Sequence, residues 1–430
     1  MSKSTMPTIR LILIAVLLSA IVVSPKGRAE EPDESTRDVI RSTNSAWKDD
    51  WGKLFRMSFR NRPVQELLGR QRVAMHELKI AYDNDGLWDW GDPQIEGPKL
   101  LSNMVDQYAD SGAEFLVWGC GGPEAWSYTP NVQEQWAANL SPEILRKHPA
   151  WGRYAERLKR YLDAGTDPLA LILKQSKARR LPVLAGFRDV NRYNHDFPNS
   201  WFLNHPQFHL SKERNPFGKF EVGVNFALPE VRARKVREWI DVVERYDVDG
   251  LSLEITRSLP FFEKDQPDKI EHFNTLLRSL RKELDRIGKK RGRRMKLALL
   301  MPEPIVWRGW RPKFPPDFFD FAAMGFDPAA WAREELVDIV MPIIYMTQQD
   351  LWEPASLKRW TDFAKGTNMQ VYGGVYNFHR AKTDPKSCRR YVEVMRAVRA
   401  ACDGIFVFNS QPSQVAEVLE IAITPRGPNR

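Results

Sequence analysis

The sequence has only three cysteines among its 430 residues. Cys388 and Cys402 flank one predicted helix, and a rise of about 1.5 Å per residue would hold them roughly 21 Å apart. That separation is far beyond the reach of a disulfide, and Cys120 follows a predicted strand without an evident partner. We therefore predict three thiols, since a chain of this size does not need a disulfide framework.

Motifs for metals and nucleotides are also absent. The seven histidines do not cluster and no H-E-x-x-H segment occurs, which argues against a zinc protease. The sequence has neither the G-x-S-x-G turn of an esterase nor the G-x-x-x-x-G-K-S/T loop of a nucleotide-binding protein. We predict no metal and no cofactor.

The apolar run near the N-terminus, residues 11–23, is shorter than the roughly 20 residues that cross a bilayer. Basic residues precede it, and Gly27 and Ala29 supply small residues at the positions that a signal peptidase requires. This pattern predicts a secretory signal peptide over residues 1–29, cleaved after Ala29. We expect a secreted or periplasmic protein without a stable membrane span. An uncleaved N-terminal anchor is the alternative.

The net charge is modest once that segment is removed. Residues 1–29 hold four basic residues and no acidic ones, so the formal charge falls from +9 to +5. This excess is too weak to predict a nucleic-acid partner. The basic residues cluster once, between a predicted helix at 272–287 and a predicted strand at 295–300, at Lys289, Lys290, Arg291, Arg293 and Arg294. We predict a solvated loop there, with a binding patch as the alternative.

Strand-like apolar segments alternate with helix-like segments along most of the chain, which favours parallel βα units. The predicted helices lie at 97–111, 167–180, 229–246, 327–335, 357–365 and 385–401. Eight strands are predicted, at 77–82, 114–118, 181–187, 250–254, 295–300, 338–345, 370–376 and 404–408. The fold class is therefore α/β, a (β/α)8 TIM barrel with long βα loops and an N-terminal helical extension.

The predicted domain organisation has three parts: a signal peptide at 1–29, an N-terminal extension at 30–70 and the barrel at 71–424. Trp47, Trp51 and Leu54 recur at helical spacing within the extension. About 400 mature residues suit one barrel with insertions better than two domains, because no Gly/Ser-rich or Pro-rich linker interrupts the chain.

One segment, Y-D-V-D-G-L-S-L-E-I-T-R at 246–257, indicates both fold and chemistry. Leu251 and Leu253 alternate with Ser252 and Glu254 at strand period, so a carboxylate lies at the C-terminal tip of the fourth strand. Barrel enzymes place their catalytic residues at such tips. Since glycoside hydrolysis needs two carboxyl groups, we predict that Glu254 is the first of them.

The second carboxyl group has three candidates. Glu303 follows the fifth strand, whereas Asp83 and Asp85 follow the first. Each acid also has a structural interpretation as the alternative. The two aspartates would then be loop caps, Glu303 a solvent-exposed acid, and Glu254 half of a buried ion pair with Arg188 or Arg257.

Other polar and aromatic side chains end the same strands. Amide, carboxylate and guanidinium groups there suit a polyhydroxylated substrate. A surface position is the alternative for the histidine among them. The predicted substrate-binding residues are Asp83, Asn84, Arg188, Asn191, His195, Arg257, Trp307, Tyr345, Tyr376, Asn377 and Asn409.

The loops after strands 2 to 5 are long and rich in aromatic residues. Rings on the active-site face of a barrel stack on sugar faces or pack the loops down, and both interpretations stay open. The rings are Trp126, Tyr128, Trp136, Tyr193, Phe197, Trp201, Phe202, Trp307 and Trp310.

At these residues the chain resembles the glycosyl-hydrolase-like TIM-barrel families of secreted glycosidases, of the glycosyl hydrolase-like 10 type. The likeness runs from Leu78 to Ala422. It implies a barrel fold, a carbohydrate substrate and hydrolysis of glycosidic bonds. Four segments carry it: Y-D-N-D-G at 82–86; N-F-A-L-P-E-V-R at 225–232 leading into Y-D-V-D-G-L-S-L-E; G-F-D-P-A-A-W-A-R-E-E-L-V-D-I-V-M-P at 325–342; and G-I-F-V-F-N at 404–409.

The chain departs from the patterns of these families at the ends of two strands. Relatives read like D-G-I-E-L-D-F at the fourth strand, where this chain has Ser252 at the first acid and Glu254 at the second. The similar chitinase pattern D-G-x-D-x-D-x-E would place its catalytic acid at Thr256, which disfavours a chitinase mechanism. Retaining barrel glycosidases end the seventh strand with a glutamate, where Tyr376 and Asn377 stand here.

The sequence therefore predicts a secreted glycoside hydrolase that acts on a poly- or oligosaccharide by paired-carboxylate acid/base chemistry. The alternative is a carbohydrate-binding barrel without catalysis, because the expected acids at Ser252 and at the seventh strand are missing. A third possibility is cleavage of another secreted polymer, such as peptidoglycan.

Overall fold

Eight short apolar strands form the centre of the protein. In the computed structural model nearly all their residues are buried, because each strand faces the barrel interior on one side and helices on the other. The strands are β1 (Ile80–Asn84), β2 (Leu116–Gly121), β3 (Val183–Phe187), β4 (Gly250–Glu254), β5 (Lys296–Pro302), β6 (Ile339–Met346), β7 (Gln370–Tyr376) and β8 (Gly404–Phe408).

The structure describes the chain in segments, all of which belong to one compact unit. The described residues are 63–84, 98–136, 142–147, 156, 158–188, 190–191, 193–194, 199–211, 221–346, 351–352, 354–376, 385–408 and 410–423.

The sheet closes on itself. Each barrel strand pairs in parallel with its neighbour in sequence, β8 pairs with β1, and β6 pairs with β7 across the remaining junction. Eight parallel strands in a closed ring confirm the predicted (β/α)8 barrel. Two short additions lie outside the ring: Leu351–Trp352 pairs antiparallel with the end of β6, and Tyr193–Asn194 pairs with Glu221–Val222.

Thirteen described α-helices surround the strands, and ten of them begin at a proline. The missing N–H of proline costs nothing in the first turn of a helix. The helices are α1 (Pro63–Glu77), α2 (Pro98–Asp110), α3 (Pro142–Lys147), α4 (Pro168–Ala178), α5 (Ser200–Leu203), α6 (Pro229–Arg245), α7 (Lys269–Arg291), α8 (Pro304–Trp310), α9 (Phe321–Met324), α10 (Pro328–Arg333), α11 (Pro354–Ala364), α12 (Pro385–Ala401) and α13 (Pro412–Ile423). Asp167 caps α4 by accepting a hydrogen bond from the Ala170 amide at 3.0 Å.

The first strand lies later in the chain than the prediction at 77–82. Helix α1 continues to Glu77, and Lys79 adopts a positive φ of 48° that turns the chain into β1. The helix therefore crosses the domain boundary expected at residue 70. It packs on α13, where Arg70 forms an exposed ion pair of 2.9 Å with Glu420.

The predicted basic loop is largely helix. Lys289 to Arg291 form the last turn of α7, which ends at Gly292 with a left-handed φ of 66°. Arg293 pairs with Asp247 at 2.6 Å, and Arg294 pairs with the buried Asp338 at 2.5 Å. These arginines tie the loops at the amino ends of β4, β5 and β6 together.

All three cysteines are buried thiols, as predicted. No helix among the described residues is long and apolar enough to cross a membrane. The segment at 11–23 that predicts a signal peptide lies outside the described residues.

Gly250 provides a direct test of the strand packing. A Cβ atom added there would lie 2.1 Å from the carbonyl oxygen of Lys296 on β5, a contact that backbone atoms cannot relieve. We expect Gly250→Ala to lower the free energy of unfolding by about 2–3 kcal/mol, measured by urea denaturation. Gly69 in α1 has nothing within 4 Å of such an atom. Gly69→Ala should therefore stabilise by roughly 0.5–1 kcal/mol, and equal effects of the two changes would contradict the packing described.

Candidate functional site

A pocket opens at the carboxyl ends of the strands, where barrel enzymes bind their substrates. Its enclosed volume is small, about 10 Å³, within a recess of about 310 Å³ that includes open solvent. Four of the predicted site residues line it, together with groups that the sequence did not single out. The lining residues are Thr256, Arg257, Glu303, Val306, Trp307, Ile343, Met346, Tyr376 and Phe408.

Glu254 lies behind this pocket, at the tip of β4, with only 3% of its side chain exposed. Its Oε2 accepts a hydrogen bond from Arg188 Nε at 2.8 Å, and its Oε1 accepts one from Thr256 Oγ1 at 2.7 Å. Arg257 Nε lies 3.4 Å from the same Oε1. The carboxylate is thus held by two arginines and a hydroxyl, which agrees with the ion-pair interpretation of this residue.

Two opposing effects set the pKa of Glu254. Burial acts to raise it, but the charges of Arg188 and Arg257 and the hydrogen bonds from Thr256 and Arg188 outweigh burial, so the pKa lies below its ordinary value. Glu254 is therefore ionised at neutral pH. It suits a nucleophile or a charge-stabilising group better than a proton donor.

The two arginines share an aromatic ring. The guanidinium of Arg188 lies 4.9 Å, and that of Arg257 5.7 Å, from the centroid of Phe408 at the end of β8. Arg257 Nη2 also donates to Tyr376 Oη at 2.9 Å. The ends of β4, β7 and β8 are thereby linked through one cationic side chain.

Strand β1 supplies an acid to the same network. Asp83 is 5% exposed, and its Oδ2 lies 3.9 Å from Arg188 Nη1. Its neighbour Asn84 is fully buried and donates to Tyr108 Oη at 3.1 Å, which anchors β1 to α2. Arg188, with 5% of its side chain exposed, therefore lies between two buried carboxylates.

Glu303, the residue directly before α8, lines the pocket. Its side chain is 0% exposed, so the interpretation as a solvent-exposed acid is wrong. Trp360 Nε1 donates to its Oε2 at 2.8 Å, and Arg359 forms an ion pair with its Oε1. Both partners belong to α11, so the helix after β6 neutralises the acid that follows β5.

The loops after β3 and β4 are tied together by polar side chains. Ser258 Oγ accepts from the Val190 amide at 2.9 Å. Asn191 donates to the Pro260 carbonyl at 2.7 Å and accepts from the Val224 amide at 2.8 Å. Asn191, a predicted substrate-binding residue, is 0% exposed and holds the loops instead.

The loop aromatics are mostly packed against one another. Tyr193 stacks on Phe202 with ring centroids 4.3 Å apart, and Phe202 stacks on His209 at 3.8 Å. Tyr345 is buried between Tyr391 and Trp352. Of the predicted aromatic ligands, Trp307 and Tyr376 line the pocket. The predicted residues Asp85, His195, Phe197, Asn377 and Asn409 lie outside the described residues.

A second group of buried charges, between the loops after β2 and β3 and helix α6, was not predicted. Burial raises the pKa of Glu124 to about 7, against a hydrogen bond from Asn199 and the charge of Lys235. Lys235 is fully buried, pairs with Glu238 at 3.0 Å, and lies 4.8 Å from the ring centroid of Tyr193. No sequence motif indicates this group, because its members come from separate elements.

Within the described segments, no cluster of three or more histidine, cysteine, aspartate or glutamate side chains could hold a metal ion.

Comparisons with known proteins match the chain only at the level of solved structures. No family model matches, and no curated protein matches. The predicted family, the glycosyl hydrolase-like 10 type, therefore stays a prediction.

The matched structures include glycoside hydrolases. One is a chitinase, ChiW, from Paenibacillus sp. (12% identity, TM-score 0.44), which matches over 80% of this chain and 42% of its own. Another is a maltogenic α-amylase from Thermotoga neapolitana (12% identity, TM-score 0.43), which matches over 82% of this chain and 73% of its own. A third is catalytic domain 2 of a Group II chitinase from Ostrinia furnacalis (11% identity, TM-score 0.43), which matches over 82% of this chain and 98% of its own. At these values the likeness says nothing about the reaction, and the barrel assignment stands on the strand pairing above.

Removing Arg188 tests whether it compensates the buried charge of Glu254. We expect Arg188→Met to lower the free energy of unfolding by about 3–5 kcal/mol, because it leaves a buried carboxylate short of its main partner. Adding Glu254→Gln should recover a large part of that loss in a double-mutant cycle by denaturation. Arg179→Gln is the matched control, since that arginine pairs with Asp110 while 35% exposed, and it should cost under about 1 kcal/mol. Additive losses in the cycle would contradict the pairing.

Stability at acid pH tests the pKa direction of Glu254. Its pKa is ordinarily 4.5 and is lower in the folded protein, so below that value the unfolded state binds the proton more readily. The stabilisation is complete above pH 4.5 and is lost as the pH falls through the folded pKa. As the pH falls from about 6 to about 3, we expect the free energy of unfolding to decrease more for the wild-type protein than for the Glu254→Gln variant. Equal losses in parallel urea titrations would show that the pKa is not lowered.

Proposed function

We propose that the protein is a secreted glycoside hydrolase that binds a poly- or oligosaccharide in the pocket at the carboxyl ends of its strands. The observation that carries this proposal is the pair of glutamates on adjacent strands. Glu254 is the last residue of β4, and Glu303 follows the end of β5. The two strands pair in parallel, with Glu254 opposite Leu300. Glu303 lines the pocket beside Thr256 and Arg257, which both contact Glu254.

The environments of the two acids suggest different roles. Glu254, ionised at neutral pH, would act as the nucleophile or stabilise the positive charge that develops on the sugar ring. We assign Glu303 as the second carboxyl group because it lines the pocket, and Asp83 and Asp85 remain the alternatives. The secreted location rests on the N-terminal sequence pattern alone.

The neighbours of the pocket suit a sugar. Trp307, Tyr376 and Phe408 supply ring surface, and Thr256, Arg257 and Glu303 are the polar residues of the lining. A few convergent polar groups on an apolar and aromatic wall are typical of sites for small ligands.

A carbohydrate-binding barrel without catalysis is the second candidate, and one observation favours it. The described acids at the strand ends, Asp83, Glu254 and Glu303, are at most 5% exposed, and each lies within 4 Å of an arginine nitrogen. Glycoside hydrolysis needs two carboxyl groups that reach the glycosidic bond, and acids buried and paired to this extent expose little of their oxygen atoms to a ligand.

Carboxamide substitutions distinguish the two candidates. On a panel of soluble polysaccharides and 4-nitrophenyl glycosides, we expect the wild-type protein to hydrolyse at least one substrate. The Glu254→Gln and Glu303→Gln variants should each hydrolyse it about 10³-fold or more slowly. Glu230→Gln on the exposed first turn of α6 is the control and should retain turnover. Binding by calorimetry without product after long incubation would instead establish the non-catalytic barrel. Full turnover by Glu254→Gln would remove the assignment of Glu254.

A further inference from the structure

Three glutamates and two cations meet where the segments after β2 and β3 pack on α6. Glu124 and Glu134 belong to the segment 122–136 after β2, whereas Glu238 belongs to α6. The cations, Arg234 and Lys235, also lie on α6. When all three glutamates are ionised, this cluster therefore carries one negative charge in excess.

Both cations of the cluster are bonded to the same acid. Arg234 Nε donates to Glu238 Oε1 at 2.7 Å, and Lys235 Nζ donates to Glu238 Oε2 at 3.0 Å. Asp241, the next acid along α6, pairs with Arg245 at 3.3 Å. Among the described residues, no cation is therefore bonded to the two glutamates of the segment 122–136.

Those two glutamates hold the start of the same helix, α5. Glu134 accepts hydrogen bonds from the Ser200 and Trp201 amides, both at 2.9 Å. Glu124 accepts one from Asn199 Nδ2 at 3.2 Å, and Asn199 is the residue that caps α5. Two like charges are thus brought to one place, an arrangement that raises the pKa of one of them.

Glu124 is the member of this pair that takes the proton. Two backbone N–H groups favour the ionised form of Glu134, whereas Glu124 has one amide donor. Burial raises the pKa of Glu124 to about 7, and the charges of Glu134 and Glu238 add to the effect. The hydrogen bond from Asn199 and the charge of Lys235 oppose it.

The other titratable side chains around the cluster behave differently. Burial, helped by the charges of nearby glutamates, raises the pKa of Tyr193 well above its ordinary value, so this tyrosine stays neutral. His205 and His209 lie in the segment 199–211 after β3. They bond the backbone carbonyls of Trp201 and Phe202, at 2.7 and 2.8 Å, instead of a glutamate of the cluster.

We propose that Glu124 is a proton-operated latch, which holds the segment 199–211 against the segment 122–136 when it is protonated and loosens it when it is ionised. Protonation removes the excess negative charge of the cluster and keeps a carbonyl oxygen to accept from Asn199. Both segments follow strands of the barrel and lie at its carboxyl end, where barrel enzymes bind their substrates. The shape of that end therefore depends on pH, whichever ligand binds there.

The pH range of the latch follows from the two forms of the segment. The docked form binds the proton more readily, because the carboxyl group of the open form has the ordinary pKa of 4.5. Docking is therefore strongest below pH 4.5 and is lost as the pH rises through about 7. Above that value both forms are ionised, and the dependence ends.

Hydrogen exchange measures the docking directly. The amides of Ser200, Trp201 and Phe202 donate to Glu134 and to Asn199, so they exchange when the segment opens. Mass spectrometry of peptides from residues 199–211 gives their protection factors, corrected for the intrinsic exchange rate at each pH. For the wild-type protein, we expect these factors to fall about tenfold or more from about pH 5 to about pH 8.

Variants then locate the dependence. Glu124→Gln keeps the acceptor and removes the titration, so protection should stay high and change by less than about twofold over the same range. Glu230→Gln, at the exposed first turn of α6, removes the same charge outside the cluster and should keep the wild-type profile. Glu134→Gln removes a like charge and an amide acceptor. It should lower protection at every pH and move the fall to lower pH.

The outcomes also separate the latch from the two histidines, since histidine ordinarily changes charge between about pH 5 and pH 8. Glu124→Gln keeps both His205 and His209. A wild-type profile in that variant would assign the dependence to the histidines and overturn the latch. Protection that is constant or rises with pH in the wild-type protein would overturn it as well, and that measurement needs no variant to fold.

Discussion

Burying a carboxylate at the mouth of an apolar barrel is the constraint on which the site depends. An ion of this kind loses several kcal/mol of hydration when water is excluded, and Glu254 is 3% exposed. Arg188 and Thr256 replace the lost water with short hydrogen bonds at 2.8 and 2.7 Å. Arg188 must then be buried as well, and Asp83 at 3.9 Å and the Phe408 ring provide for its charge.

The same network decides what the site can do. Acids that are held in ion pairs have little freedom to transfer protons. Arg359 on α11 pairs with Glu303, as Arg188 at the end of β3 pairs with Glu254. Arg257 contacts both Glu254 and Tyr376, and 28% of its side chain is exposed. The acids of the site are therefore held in place by their partners before any ligand binds.

Much of the fold could be predicted from the sequence because burial pattern and strand period are local. The strands at Gly250–Glu254, Gln370–Tyr376 and Gly404–Phe408 have the predicted bounds. The first strand was misplaced because the pattern at 77–82 does not show that α1 extends to Glu77 and that Lys79 turns the chain. Of the candidate site, the sequence placed Glu254, Arg257 and Glu303 at strand ends. It did not indicate Arg359 or Trp360, which come from a helix more than fifty residues away.

The sequence by itself determined the alternation of apolar strands and helices, and with it the ring of strand ends where Glu254 lies. It also places two residues that are not acids, Ser252 and Thr256, two positions before and after Glu254. Only the tertiary structure decided that Glu254 is a paired and buried carboxylate and that Arg257 lines the pocket beside it. The physical reason is that ionisation and exposure depend on groups brought together from β1, β3, β4, β7 and β8, and no local pattern encodes their distances.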